Sequence, residues 1–175
     1  LADSAAQLQT LIASYVLWAF SVPVALSILV ILLLRMALHK LPHHSMAASS
    51  WLALGPIGTA ALGMLVMGGN APAIFSASQM PAAASIAQGF GLIVGLLFWG
   101  RGLWWMRLAL RIACHCRHEG IPFDRGWWGF TVPLGVVALT ALKLASLVDI
   151  AFFQLFGALL AVLLVLMWLL VATKT

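Results

Sequence analysis

The stretch Trp127-Trp128-Gly129-Phe130-Thr131-Val132-Pro133-Leu134-Gly135, running on to Lys143, decides how the rest of the chain is read. It is apolar enough for a membrane helix, yet it holds a proline and a glycine in its middle and one lysine deep in its second half. Proline inside a helix removes a hydrogen bond and kinks or breaks it. Lipid offers no water to the freed carbonyl, so such a helix is expected to lie against protein or a wet cavity. A lysine at that depth is costly and marks a functional site by default. Together these features predict a broken helix lining a polar path that favours anions.

Composition outside this stretch points the same way. The 175 residues are 64% hydrophobic and 7% charged, with a mean hydropathy of +1.11. A soluble exterior could not tolerate that much apolar surface, so the fold class is all-α integral membrane. A span takes about 20 apolar residues, which leaves room for about five helices and short loops. The net charge of +5 does not indicate nucleic acid, because the nine basic residues are scattered beside the spans and form no basic stripe in a polar domain. The expected surroundings are membrane lipid. Cys114 and Cys116 are too close in sequence for an ordinary disulfide and are read as reduced thiols.

Hydropathy and breakers place helices at about 9–38, 50–69, 85–113, 127–146 and 150–172, forming one transmembrane domain. Pro23 should kink the first helix. The second carries Gly55-Pro56-Ile57-Gly58-Thr59, and the uncharged segment 70–84, with Pro72 and Pro81, reads as a loop. Asp149 is placed as the N-cap of the last helix.

Charge then fixes the expected topology. With the first helix running inward, Arg35, Lys40, Arg101, Arg107, Arg111, Arg117, Arg125 and Lys174 all fall on one side, as the positive-inside rule requires. The C-terminus is therefore expected in the cytoplasm and the protein in the cell (inner) membrane. An outside start, at Leu1 rather than methionine, leads us to expect an odd number of helices before this segment. The second and fourth helices also share a pattern: Trp51, Pro56, Gly58 against Trp128, Pro133, Gly135, which reads as a repeated helical hairpin.

These residues carry a resemblance. Trp127 to Lys143, with Lys143 ten residues past Pro133, resembles the penultimate helix of the tellurite-resistance/dicarboxylate transporter family. That family includes the slow-type anion channels of plant guard cells and fungal malate and sulfite transporters. Leu41-Pro42, followed by Trp51-Leu52-Ala53-Leu54-Gly55-Pro56-Ile57-Gly58, resembles the family's seventh helix and its approach. The resemblance implies helices 6–10 of a ten-helix, five-hairpin pore fold, with the second and fourth helices here lining the pore. It also implies a homo-oligomer, a trimer by analogy. In the family a phenylalanine immediately before the helix-four proline plugs the pore; here that position is Val132, while Phe130 matches an aromatic position two residues earlier.

The pore-lining and gating candidates are thus Gly55, Pro56, Gly58, Thr59, Phe130, Thr131, Val132, Pro133, Gly135 and Lys143. Each has a plain alternative. Proline and glycine also serve as packing kinks in membrane helices. Lys143 could snorkel to the outer interface or pair with Asp149. Thr59 and Thr131 could bond their own helix, and Thr140 is read that way. Cys114, His115, Cys116 and His118, like His39, His43 and His44, have metal-ligand residue types, but the spacing does not match a zinc site. No cofactor is expected. The paired tryptophans 104, 105, 127 and 128 fit an aromatic belt.

The function implied is transport of small anions: C4-dicarboxylate, sulfite, chloride, nitrate or a tellurite-type oxyanion. The alternative, a membrane anchor of a redox complex, needs histidines within the helices to hold haem, and all five lie at helix ends or in loops. An enzyme is not expected, since all four carboxylates are peripheral.

Overall fold

The computed structural model describes residues 2–38, 49–117 and 127–174. These form α1 (Ala2–Leu38), α2 (Ser49–Leu52), α3 (Leu54–Ala77), α4 (Pro81–Arg117), α5 (Trp128–Val148) and α6 (Ala151–Lys174). Five spans, with α2 joined to α3, are long and apolar enough to cross a membrane. The expectations for His39, Lys40, Leu41, Pro42, His43, His44, His118 and Arg125 lie outside the described residues.

Three expectations about the elements need correction. First, 70–77 is helix, not loop: α3 continues through Pro72 to Ala77. It ends in a Schellman-type turn, where Met80 N–H donates to Phe75 O (2.9 Å) and Gln79 N–H to Ser76 O (3.1 Å). Gln79 takes the left-handed position with φ 59°, and Pro81 opens α4, where a missing N–H costs nothing. Second, α5 is one continuous helix through Pro133 and Gly135. The break falls instead at Ala53, between α2 and α3. That puts Pro56 in the first turn of α3, where its N–H would have had no intrahelical partner. Near this break, the Trp105 indole donates to Ser50 O (3.0 Å). Third, Asp149 does not N-cap the last helix. It is the left-handed C-cap of α5 (φ 49°), its N–H donating to Ala145 O (3.0 Å).

The spans form two layers. In the most apolar windows of α3 and α5, 56% and 50% of residues are buried, against 11–17% for α1, α4 and α6. So α3 and α5 are the inner helices and the other three are mostly exposed. Small residues allow the close approach that membrane packing favours. A Cβ on Gly68 would lie 2.9 Å from Gly91 Cα, and one on Gly91 2.7 Å from Met64 O, so α3 and α4 touch backbone to backbone. Gly58 abuts Val136 of α5, and Gly157 of α6 abuts Leu142 of α5. The Trp18 indole of α1 donates to Ala60 O of α3 (3.1 Å).

These contacts fix which way each helix faces. Around α3, Gly68 faces α4, Gly58 and Gly69 face α5, and Gly63 faces Trp18 of α1. At 3.6 residues per turn, one side remains open, carrying Pro56, Thr59, Val66 and Asn70. On α5, Val136 and Lys143 face α3, while Gly135 and Leu142 face α6. Val132, Leu139 and Ser146 are exposed between them. Gly58 meets Val136 and Gly69 meets Lys143, so α3 and α5 run parallel. Both open stripes then lie on the same side of the pair, opposite α4.

Candidate functional site

The shared open side of α3 and α5 is where the sequence candidates divide. Pro56, Thr59 and Val132 lie on it, Val132 being 67% exposed. Gly55, half-buried, borders it, and a Cβ there would meet nothing within 4 Å. Gly58, Phe130, Thr131 and Pro133 are buried in the protein interior. Gly135 points toward Leu164 of α6.

Each position follows from local physics. Thr59 donates to Gly55 O (3.0 Å) and Pro56 O (3.1 Å), the local bond that threonine commonly makes in a helix. Its oxygen still has acceptor capacity on the open side, and its own hydrogen is committed. Thr131 donates to Trp128 O (2.8 Å). Phe130 packs between Trp51 (5.2 Å between ring centroids) and Trp127 (5.7 Å). It therefore belongs to the core around Leu54, Ile57 and Trp105 and leaves the Val132 position open. Thr140 bonds Val136 O of its own helix (2.7 Å), as expected, and also reaches Gly58 O of α3 (3.3 Å). It ties the two inner helices together beside Gly58.

Lys143 sits at the edge of the open side. A Cβ on Gly69 would be 3.7 Å from its Nζ and 3.8 Å from its Cε, so the lysine stem lies across α3 at a position where glycine leaves room. No ion pair joins it to Asp149 among the described residues. The charge thus lies at the seam between the two inner helices.

Sequence reasoning missed a second polar group on this side. Gln7, Thr10 and Ser14 of α1 and Val66, Asn70 and Ile74 of α3 line a groove of about 440 Å³. The Thr10 and Ser14 hydroxyls donate to Ala6 O (2.9 Å) and Thr10 O (2.8 Å). Asn70 escaped notice because the prolines made its segment read as loop. The signal was available in the spacing of Gln7, Thr10 and Ser14, which share one helix face. Among the described residues no cluster of three His, Cys, Asp or Glu side chains is arranged to hold a metal.

Comparison with known proteins places the chain in a family. The family model described as SLAC1, voltage-dependent anion channel, matches residues 1–175. The chain is 33% identical to a sulfite efflux pump SSU1 of Arthroderma benhamiae over 168 residues, which is 95% of this chain and 44% of that protein. The SSU1 pump of Trichophyton rubrum matches to the same extent. An uncharacterized transporter of Methanocaldococcus jannaschii, MJ0762, is 30% identical over 73% of this chain and 34% of its own length. The chain therefore spans less than half the length of the curated relatives it matches. No solved structure matches it. The chain, with two parallel inner helices that share an open side, belongs to the SLAC1 voltage-dependent anion channel family.

Proposed function

We propose that the protein passes small anions across the membrane along the open side of the α3–α5 pair, as a transporter or channel and not as an enzyme. One observation carries this reading. The two most buried helices of the molecule each keep an exposed stripe, and both stripes face the same way. A helix buried on its other faces and open on one is suited to line a passage. Thr59, Val132 and Asn70 are on those stripes and Lys143 is beside them. The lysine supplies a favourable potential for an anion, and the hydroxyl and amide groups give weak, exchangeable contacts. Conduction needs binding weak enough to let the ion leave.

Sulfite and related small anions are the proposed substrates, because relatives covering 95% of this chain are sulfite efflux pumps. At the level of Pro133, Val132 stands where the resemblance implies a plugging phenylalanine, so the passage is proposed to be wider here than in relatives with that ring. The arginine-bearing end of α4 is proposed to face the cytoplasm. The test is flux in proteoliposomes holding the full-length reading frame that contains residues 1–175, with sulfite, chloride, nitrate and malate compared. Saturable or conductive flux of at least one anion above empty vesicles supports the reading. Correctly inserted protein that moves none of the four removes it.

A further inference from the structure

On the side of the inner pair away from the open stripes, α4 carries a different face. Ile86, Phe90, Ile93 and Leu97 are exposed along one stripe, and at helical spacing that stripe runs on into Arg101, Trp104, Arg107 and Arg111. Between α1 and α4 lies an apolar groove of about 380 Å³, lined by Leu26, Leu29, Val30, Leu97 and Phe98, with Arg101 at its edge. The Arg101 guanidinium stacks 4.9 Å from the centre of the Trp104 ring. Further along α4, Trp104, Arg107, Leu108 and Arg111 line a pocket of about 300 Å³. Among the described residues no carboxylate lines either cavity, and the three arginines make no ion pair.

We propose that this groove and pocket form one site for an anionic phospholipid, with an acyl chain between α1 and α4 and the phosphate held by Arg101, Arg107 and Arg111. The order of chemistry along α4 fits such a molecule: apolar side chains, then an aromatic that suits the membrane interface, then cations. Guanidinium groups favour phosphate because their donors match its oxygens in pairs. Basic pockets at the ends of membrane helices bind acidic headgroups in this way. Topological charge alone would require the arginines but not the apolar groove leading to them.

The experiment is native mass spectrometry of the delipidated, purified protein titrated with phosphatidylglycerol or phosphatidylcholine. Phosphatidylglycerol should be retained about tenfold better than phosphatidylcholine, and Arg107→Gln with Arg111→Gln should remove most of that preference. Arg107→Lys with Arg111→Lys should keep most of the binding, which separates lost charge from lost folding. Val30→Trp, and independently Leu97→Trp, fill the groove without touching the arginines and should also lower retention. Equal retention of both lipids, or binding indifferent to the glutamine pair, would overturn the proposal. Binding indifferent to both groove-filling variants would overturn it too. So would displacement of the lipid by an equimolar amount of inorganic phosphate, since the site would then take a soluble anion.

Discussion

Val132 and Phe130 are two residues apart on α5 and have opposite surroundings: Val132 is 67% exposed and Phe130 7%. On a helix two residues are about 200° apart, so an aromatic at 130 cannot stand in for one at 132. Val132→Phe should therefore narrow the passage and lower anion flux, by about tenfold if the ring closes on the anion's route. Phe130→Ala should leave flux per folded protein unchanged. It removes a ring held between Trp51 and Trp127, and core truncations of this kind cost about 3–5 kcal/mol, visible as earlier thermal unfolding in detergent. Lys143→Gln should lower flux roughly threefold at low salt, with the difference shrinking as ionic strength rises. The repeated Trp-Pro-Gly pattern was legible in the sequence, but the environments of its members were not. Pro56 is exposed and Pro133 buried, while Trp51 is 7% exposed and Trp128 38%. Spacing tells which residues share a face of one helix; it does not tell which neighbour covers that face.

At the scale of the element, glycines set how close the spans approach. Gly91 and Gly89 of α4 offer a direct comparison. A side chain at 91 would collide with Met64 O and Gly68 of α3, whereas one at 89 meets nothing within 4 Å. Gly91→Leu should destabilise the protein by about 1–3 kcal/mol through overpacking, and Gly89→Leu should leave its unfolding temperature nearly unchanged. Thr140→Val removes the bond to Gly58 O and should cost about 1 kcal/mol, within the range for hydrogen bonds between membrane helices. The spans themselves were readable from hydropathy because lipid demands about 20 apolar residues wherever the chain crosses. Their ends were less so. Pro72 and Pro81 made 70–84 look like loop, yet α3 passes through the first and α4 starts at the second. The expected mid-helix break at Pro133 is absent because packing in the core keeps α5 continuous around a fully buried proline.

At the scale of the molecule, the layering was only partly legible in composition. All five spans are strongly apolar; α1 and α6 are more apolar than the inner pair, but α4 is not, so hydropathy alone does not single out α3 and α5. The family resemblance singled out these two helices, and burial now separates them from the other three. The proposed topology has its own check. In a protein carrying Cys116→Ser, exposed Cys114 at the end of α4 should react with an impermeant thiol reagent only after cells are opened. Gln79→Cys, in the α3–α4 turn of a protein with Cys114 and Cys116 both changed to Ser, should react in intact cells. The trimer implied by analogy is checked by the mass of the purified protein in native spectrometry.

The central claim is that the open side of α3 and α5 is the route of the anion. Its most direct test is a charged maleimide reacted with Val132→Cys in protein lacking Cys114 and Cys116, followed by removal of reagent and measurement of sulfite flux in proteoliposomes. Ile93→Cys, on the exposed stripe of α4 away from the open side, is the comparison. Loss of most flux at 132 with little change at 93 is the predicted result. Undiminished flux with position 132 fully labelled would contradict the account.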